Sequence, residues 1–169
     1  MIEPFDWAMA LLRVVTGAVI LAHGVKHARG RVKTANWFGS IGFRQPQLQW
    51  FASTATEIGV GVLLIVGLVT STAAAGLVAV MVVAFWTVHR SVGFWVTARP
   101  DEGWEYVLVL GTVGAAIAIG GPGAFSIDAT LGIEDLLNGW VGAALVAGGV
   151  VAAAAQIATF FRPTGAAGT

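Results

Sequence analysis

Trp50 to Val69 reads WFASTATEIGVGVLLIVGLV, twenty residues in which Glu57 is the only charged side chain. A run of this length matches a hydrocarbon core of roughly 30 Å at 1.5 Å of rise per residue. A charge near the centre of such a helix costs roughly 2.5 to 3.5 kcal/mol even on lenient insertion scales, so it faces a bundle interior and has either a partner or a task. The functional question is therefore what faces Glu57.

The remainder of the chain has the same character. Of 169 residues, 57% are hydrophobic and only 11% charged, and the mean hydropathy is +0.82. These values lie outside the soluble globular range and define an all-α integral membrane protein. Apolar runs predict five transmembrane helices, near 8–28, 48–69, 72–92, 104–121 and 138–161. Pro46 suits the first turn of the second helix, and the uncharged Thr70-Ser71-Thr72 makes a tight link to the third. The acidic start, MIEPFD, lacks the basic flank of a cleaved leader, so the first run is expected to stay in the membrane. No cysteine is present, which excludes dithiol chemistry, thiolate zinc sites and iron-sulfur clusters carried by the chain itself.

Orientation follows from the basic residues, which favour cytoplasmic loops. Lys26, Arg29, Arg31, Lys33 and Arg44 surround the first loop, Arg90 and Arg99 the third, and Arg162 follows the last helix. Glu3, Asp6, Asp128, Glu134 and Asp135 collect at the other side. The amino terminus is thus expected outside and the carboxyl terminus in the cytoplasm. Tryptophans favour the headgroup level: Trp7 and Trp140 mark the outer boundary, Trp37, Trp50, Trp95 and Trp104 the inner one. Residues 31–45 mix apolar and basic side chains over too short a length to span, and are expected to lie in the inner interface.

In this topology four successive helices carry ionisable residues into the inner half of one bundle. The first supplies His23, Lys26 and His27, the second Glu57 at a depth of roughly 12 Å, the third His89, and the fourth Glu105 and Tyr106. Glu57 beside His23 or His89 would make a proton relay; beside a cation it would be a buried ion pair; beside Thr54 it would be a packing residue. His23 and His27, four apart, share a face with metal-ligand spacing, but further donors are scarce and no metal is assigned. Axial ligation of a haem by His23 and His89, from different helices, is a second possibility. Arg13, two turns into the outer half of the first helix, either snorkels outward, pairs with an acid such as Asp128, or holds an anionic ligand. Gly121-Pro122-Gly123 ends the fourth helix, and Ser126 or Asp128 suits the cap of a short helical turn.

Soluble-enzyme signatures are missing: there is no phosphate loop, dinucleotide fingerprint or nucleophile elbow, and no basic stretch suited to nucleic acid. The basic loops are accounted for by topology and anionic lipid.

The order of these residues resembles the DoxX family of small bacterial membrane proteins. The matching pieces are Leu12-Arg13 with Gly17, His23-Gly24-Val25-Lys26, Phe38-Gly39, Pro46, Glu57 with EIGVGVLLIVGL, His89 with Gly93-Phe94, Glu105-Tyr106, and Gly121-Pro122-Gly123 through Ser126 and Asp128. They cover most of residues 8 to 130. The resemblance implies a four-helix membrane bundle over residues 1–130, related to the DoxD-type subunit of a thiosulfate:quinone oxidoreductase, in the bacterial cytoplasmic membrane. The hydrophobic span within 131–169 is an addition to that plan.

On this basis His23, Glu57 and His89 are the candidate catalytic residues, and Arg13, Lys26, Glu105 and Tyr106 the candidate ligand-binding ones. The first reading is a quinone-linked redox or oxidative-stress subunit of the respiratory membrane, with a polar cytoplasm-side pocket and protein partners in a membrane redox complex. The second is a non-catalytic scaffold or assembly subunit of such a complex, homo-oligomeric or not. A small transporter, the third, lacks an inverted repeat or an interrupted helix pair.

Overall fold

A computed structural model describes residues 2–99 and 101–163. Its elements are α1 (Pro4–Arg29), α2 (Arg31–Ser40), α3 (Pro46–Val66), α4 (Thr70–Ala84) continued by a π-helical turn (Phe85–His89), α5 (Glu105–Gly120), the short α6 (Ile127–Thr130) and α7 (Gly139–Phe160). The fold is an all-helical membrane bundle. Four helices have the length and apolarity to cross a membrane: α1, α3, α4 with its π turn, and α7. The fourth expected span, α5, has 16 residues and is the shorter member, at about 24 Å.

Local chemistry sets the helix ends. At the start of α1, the Glu3 N–H donates to the Asp6 carboxylate at 2.8 Å, closing a capping box ahead of Pro4. Helix α3 opens at Pro46 and stops at Gly67, whose φ of 70° suits a residue without Cβ. The sequence placed the link to α4 at 70–72. It lies instead at 67–69, and Thr70 already belongs to α4. The shift comes from Asp128, whose carboxylate accepts from the Val69 and Thr70 amides at 2.7 and 2.9 Å and so caps α4 from another part of the chain. Ser126 caps α6 by accepting from the Ala129 amide.

Helix α4 is central, packed against α3, α5 and α7, while α1 pairs mainly with α3. Leu64, Leu77 and Ile117 are fully buried together with Ala74 and Ala118. Helix α7 is integral to the bundle. Gly142 seats its backbone on the Ala118 carbonyl, and Gly149 does the same at Ala75. Gln156 donates to the buried Gln49 at 2.8 Å. Beyond α7 the chain pairs with the segment after α2: Arg44 N–H donates to Phe160 and Arg162 N–H to Gly42, each at 2.8 Å. Residues 31–45 are largely helical, with Ala35 and Phe38 of α2 buried against the bundle.

Candidate functional site

The site begins where α1 meets α3. Gly17 and Gly24 on α1 and Gly61 on α3 leave no room for a Cβ against the facing helix, so the two backbones approach as only small residues permit. That approach brings His27, in the last turn of α1, onto Glu57. Nδ1 of His27 and Oε2 of Glu57 are 2.9 Å apart. The ring is turned off the line of a hydrogen bond, and neither atom has a conventional partner. The other oxygen, Oε1, accepts from Ser53 Oγ at 3.0 Å. Glu57 is 4% exposed.

Sequence reasoning offered Glu57 a relay with His23 or His89, a buried ion pair with a cation, or packing against Thr54. The residues beside it are His27 and Ser53, while Thr54 Oγ1 has no hydrogen-bond partner. His23 and His27 share a helix face, so periodicity could not choose between them; the depth of the α1–α3 crossing does.

Glu57 lies on the wall of a cavity of about 630 Å³ reached by α1, α2, α3, α4 with its π turn, α5 and α7. His23, His27, His89, Glu102, Tyr106 and Gln156 are among its other polar residues, set among side chains such as Ile20, Phe38, Val80 and Leu110. A few convergent polar groups in a largely apolar chamber of this size suit a small organic molecule. The π turn contributes to this arrangement. Arg90 N–H reaches back five residues to Phe85 at 2.9 Å, and one extra residue in a turn rotates the downstream side chains by about 100°. His89 thereby lines the cavity, with Nδ1 2.6 Å from the Glu102 carbonyl. A carbonyl only accepts, so Nδ1 carries hydrogen and Nε2 is left for proton exchange.

The remaining candidates sit elsewhere. Glu105 accepts from the Val96 amide at 3.1 Å and ties down the loop before α5. Lys26 is exposed and is not part of the cavity wall. Arg13 lies at the opposite, acidic end, 1% exposed. Its guanidinium donates to the carbonyls of Leu64 (2.9 Å), Ile65 (3.4 Å) and Phe125. It neither snorkels nor faces the cavity, because these carbonyls at the end of α3 and in the loop before α6 take its donors. Gln156 was missed, although a lone amide in the apolar run of α7 was a signal. Among the described residues no three His, Asp or Glu side chains gather closely enough to hold a metal ion.

A multi-pass helical membrane protein with a polar-lined chamber toward one end is the class that this fold and site define. The DoxX family model matches residues 8–90, which run from α1 through the π turn and include Glu57, His27 and His89. A Bacillus subtilis (strain 168) protein named "Putative oxidoreductase CatD" is 30% identical over 115 residues, 68% of this chain and 81% of that protein. The chain belongs to the DoxX family. No solved structure matches it.

Proposed function

We propose that this protein is the membrane subunit of a quinone-linked oxidoreductase, oriented in the bacterial cytoplasmic membrane with its basic end in the cytoplasm and its amino terminus outside. The observation that carries the reading is the buried Glu57 at 2.9 Å from His27 on the wall of the chamber. A carboxyl group at that depth is rarely without a task, and the relative's name includes oxidoreductase.

In the direction of reduction, a partner redox protein at the basic face supplies two electrons to a quinone in the chamber. Toward a quinone held there the His27–Glu57 pair would pass one proton, and His89, doubly protonated with its Nδ1–H kept on the Glu102 carbonyl, would pass the other from Nε2 and return to the neutral ring. Both donors are recharged from the basic side, and oxidation of a quinol runs the same transfers in reverse. The chain has no cysteine, so no dithiol of its own carries these electrons, and this reading assigns their supply to the partner.

His27 and Glu57 also bridge α1 and α3, which favours the scaffold reading, in which the pair serves the fold alone. Turnover of a menaquinol analogue by purified protein in nanodiscs, with an artificial acceptor, separates the two. The redox reading expects Glu57→Gln to abolish turnover with the fold retained. It is overturned if wild-type protein neither binds nor oxidises the quinol, and Glu57 leaves the mechanism if Glu57→Gln is as active as wild type.

A further inference from the structure

A second hollow, of about 480 Å³, adjoins the chamber between α4 and α5. Its walls are almost wholly apolar, formed by side chains such as Val78, Val82, Phe85 and Leu108 around Gly111. Met81 and Val107 line both hollows. Both are buried, at 8% and 5% exposure, and Met81 has the unbranched, rotatable side chain that re-packs most readily. The chamber and the groove thus share one wall, and part of that wall is adaptable. On the membrane side the groove is open, with Leu108 51% exposed. Toward the basic end it is bounded by Phe85 of the π turn, edge-on to Trp104 at 5.9 Å.

We infer that the molecule held in the chamber is amphiphilic, and that its single hydrocarbon chain leaves past Met81 and Val107 to lie in the α4–α5 groove. The inference rests on the chamber holding a quinone headgroup, the reading proposed for this protein's function. It adds the route by which a lipid-borne ligand enters and the residues that distinguish a tailed ligand from a tail-less one. The order of surfaces carries it: polar groups converge in the chamber, the shared wall comes next, and an apolar groove opens on the side of the helices that faces lipid. A molecule with a polar ring and an apolar tail meets these surfaces in that sequence.

Gly111 provides the means of testing it. A Cβ there would meet Met81 Cβ at 3.6 Å, an ordinary contact, so alanine is accommodated while a larger side chain fills the groove. Binding to nanodisc-embedded protein is measured for a naphthoquinone without a tail and for the same ring with a multi-unit isoprenoid tail. Gly111→Leu is expected to weaken the tailed compound at least about ten-fold and to leave the tail-less one within a factor of about two, with Gly111→Ala like wild type for both. Equal effects of Gly111→Leu on the two compounds, or no effect on either, overturn the inference. If neither compound binds wild-type protein, the headgroup reading has failed instead. Should Gly111→Leu not fold, wild-type protein decides through a quinone carrying a photoreactive group at its tail end. Labelling of Val78, Val82, Leu108, Gly111 or Ala115 supports the groove, and labelling confined to residues outside it, or to lipid, overturns it.

Discussion

A methyl group placed on Gly24 would lie 3.0 Å from Glu57 Cβ and 2.9 Å from the Ile58 nitrogen. The glycine therefore sets the distance at which α1 passes α3, and with it the approach of His27 to Glu57. Because the obstruction includes main chain, it cannot be relieved by a rotamer change. Gly24→Ala is expected to destabilise the protein by about 1 to 3 kcal/mol through overpacking. Gly59→Ala, where nothing lies within 4 Å, should be neutral or slightly stabilising because alanine is the better helix former. Thermal unfolding in one detergent compares them, and equal losses in the two variants would contradict the role of Gly24.

His27 should matter more than His23 to whatever Glu57 does. In quinol turnover, His27→Ala is expected to reproduce most of the Glu57→Gln defect, and the double variant to add little, since residues acting as a unit are non-additive. His23→Ala should retain more activity than His27→Ala. The reverse ranking would show that the 2.9 Å contact is incidental.

At the acidic end, Arg13 and Asp128 hold one turn from its two electrical poles. The cation takes carbonyls at the end of α3 and the anion takes amides at the start of α4, each complementing the local helix dipole. Arg13→Met leaves buried carbonyls unpartnered and should cost about 1 to 3 kcal/mol or more. Asp128→Ala should cost about 1 to 2 kcal/mol as a lost cap. Gly67→Ala combines a φ of 70° with a clash against Ser126 Cβ at 2.5 Å and with Arg13, and should be at least as harmful. Unfolding in denaturant ranks the three; a neutral Arg13→Met would place that residue's role outside stability.

The Gln49–Gln156 contact makes a different kind of prediction. Gln156→Leu alone strands the amide of Gln49, which is 2% exposed, and should cost about 1 to 2 kcal/mol. Gln49→Leu with Gln156→Leu removes both polar groups and should recover most of that loss. A double variant no better than the single would show that the amides serve something other than each other.

Much was legible in the chain. The membrane class follows from apolar runs of span length, and the helix ends at Pro46 and Ser126 from local backbone chemistry. Burial of Glu57 follows from the cost of a charge in hydrocarbon. These are properties of a segment and its solvent, so one segment at a time suffices. Periodicity also put His23, His27 and Glu57 near one level. It could not say which histidine the carboxyl group meets, because that depends on how deeply two particular helices cross, and Gly17, Gly24 and Gly61 set the crossing only when they face each other. The role of Arg13, the capping of α4 by Asp128, the π turn that directs His89 and the part of α7 in the chamber all depend on residues far apart in the chain. Membrane solvation dictates which segments become helices; contact between their backbones decides what those helices bring together.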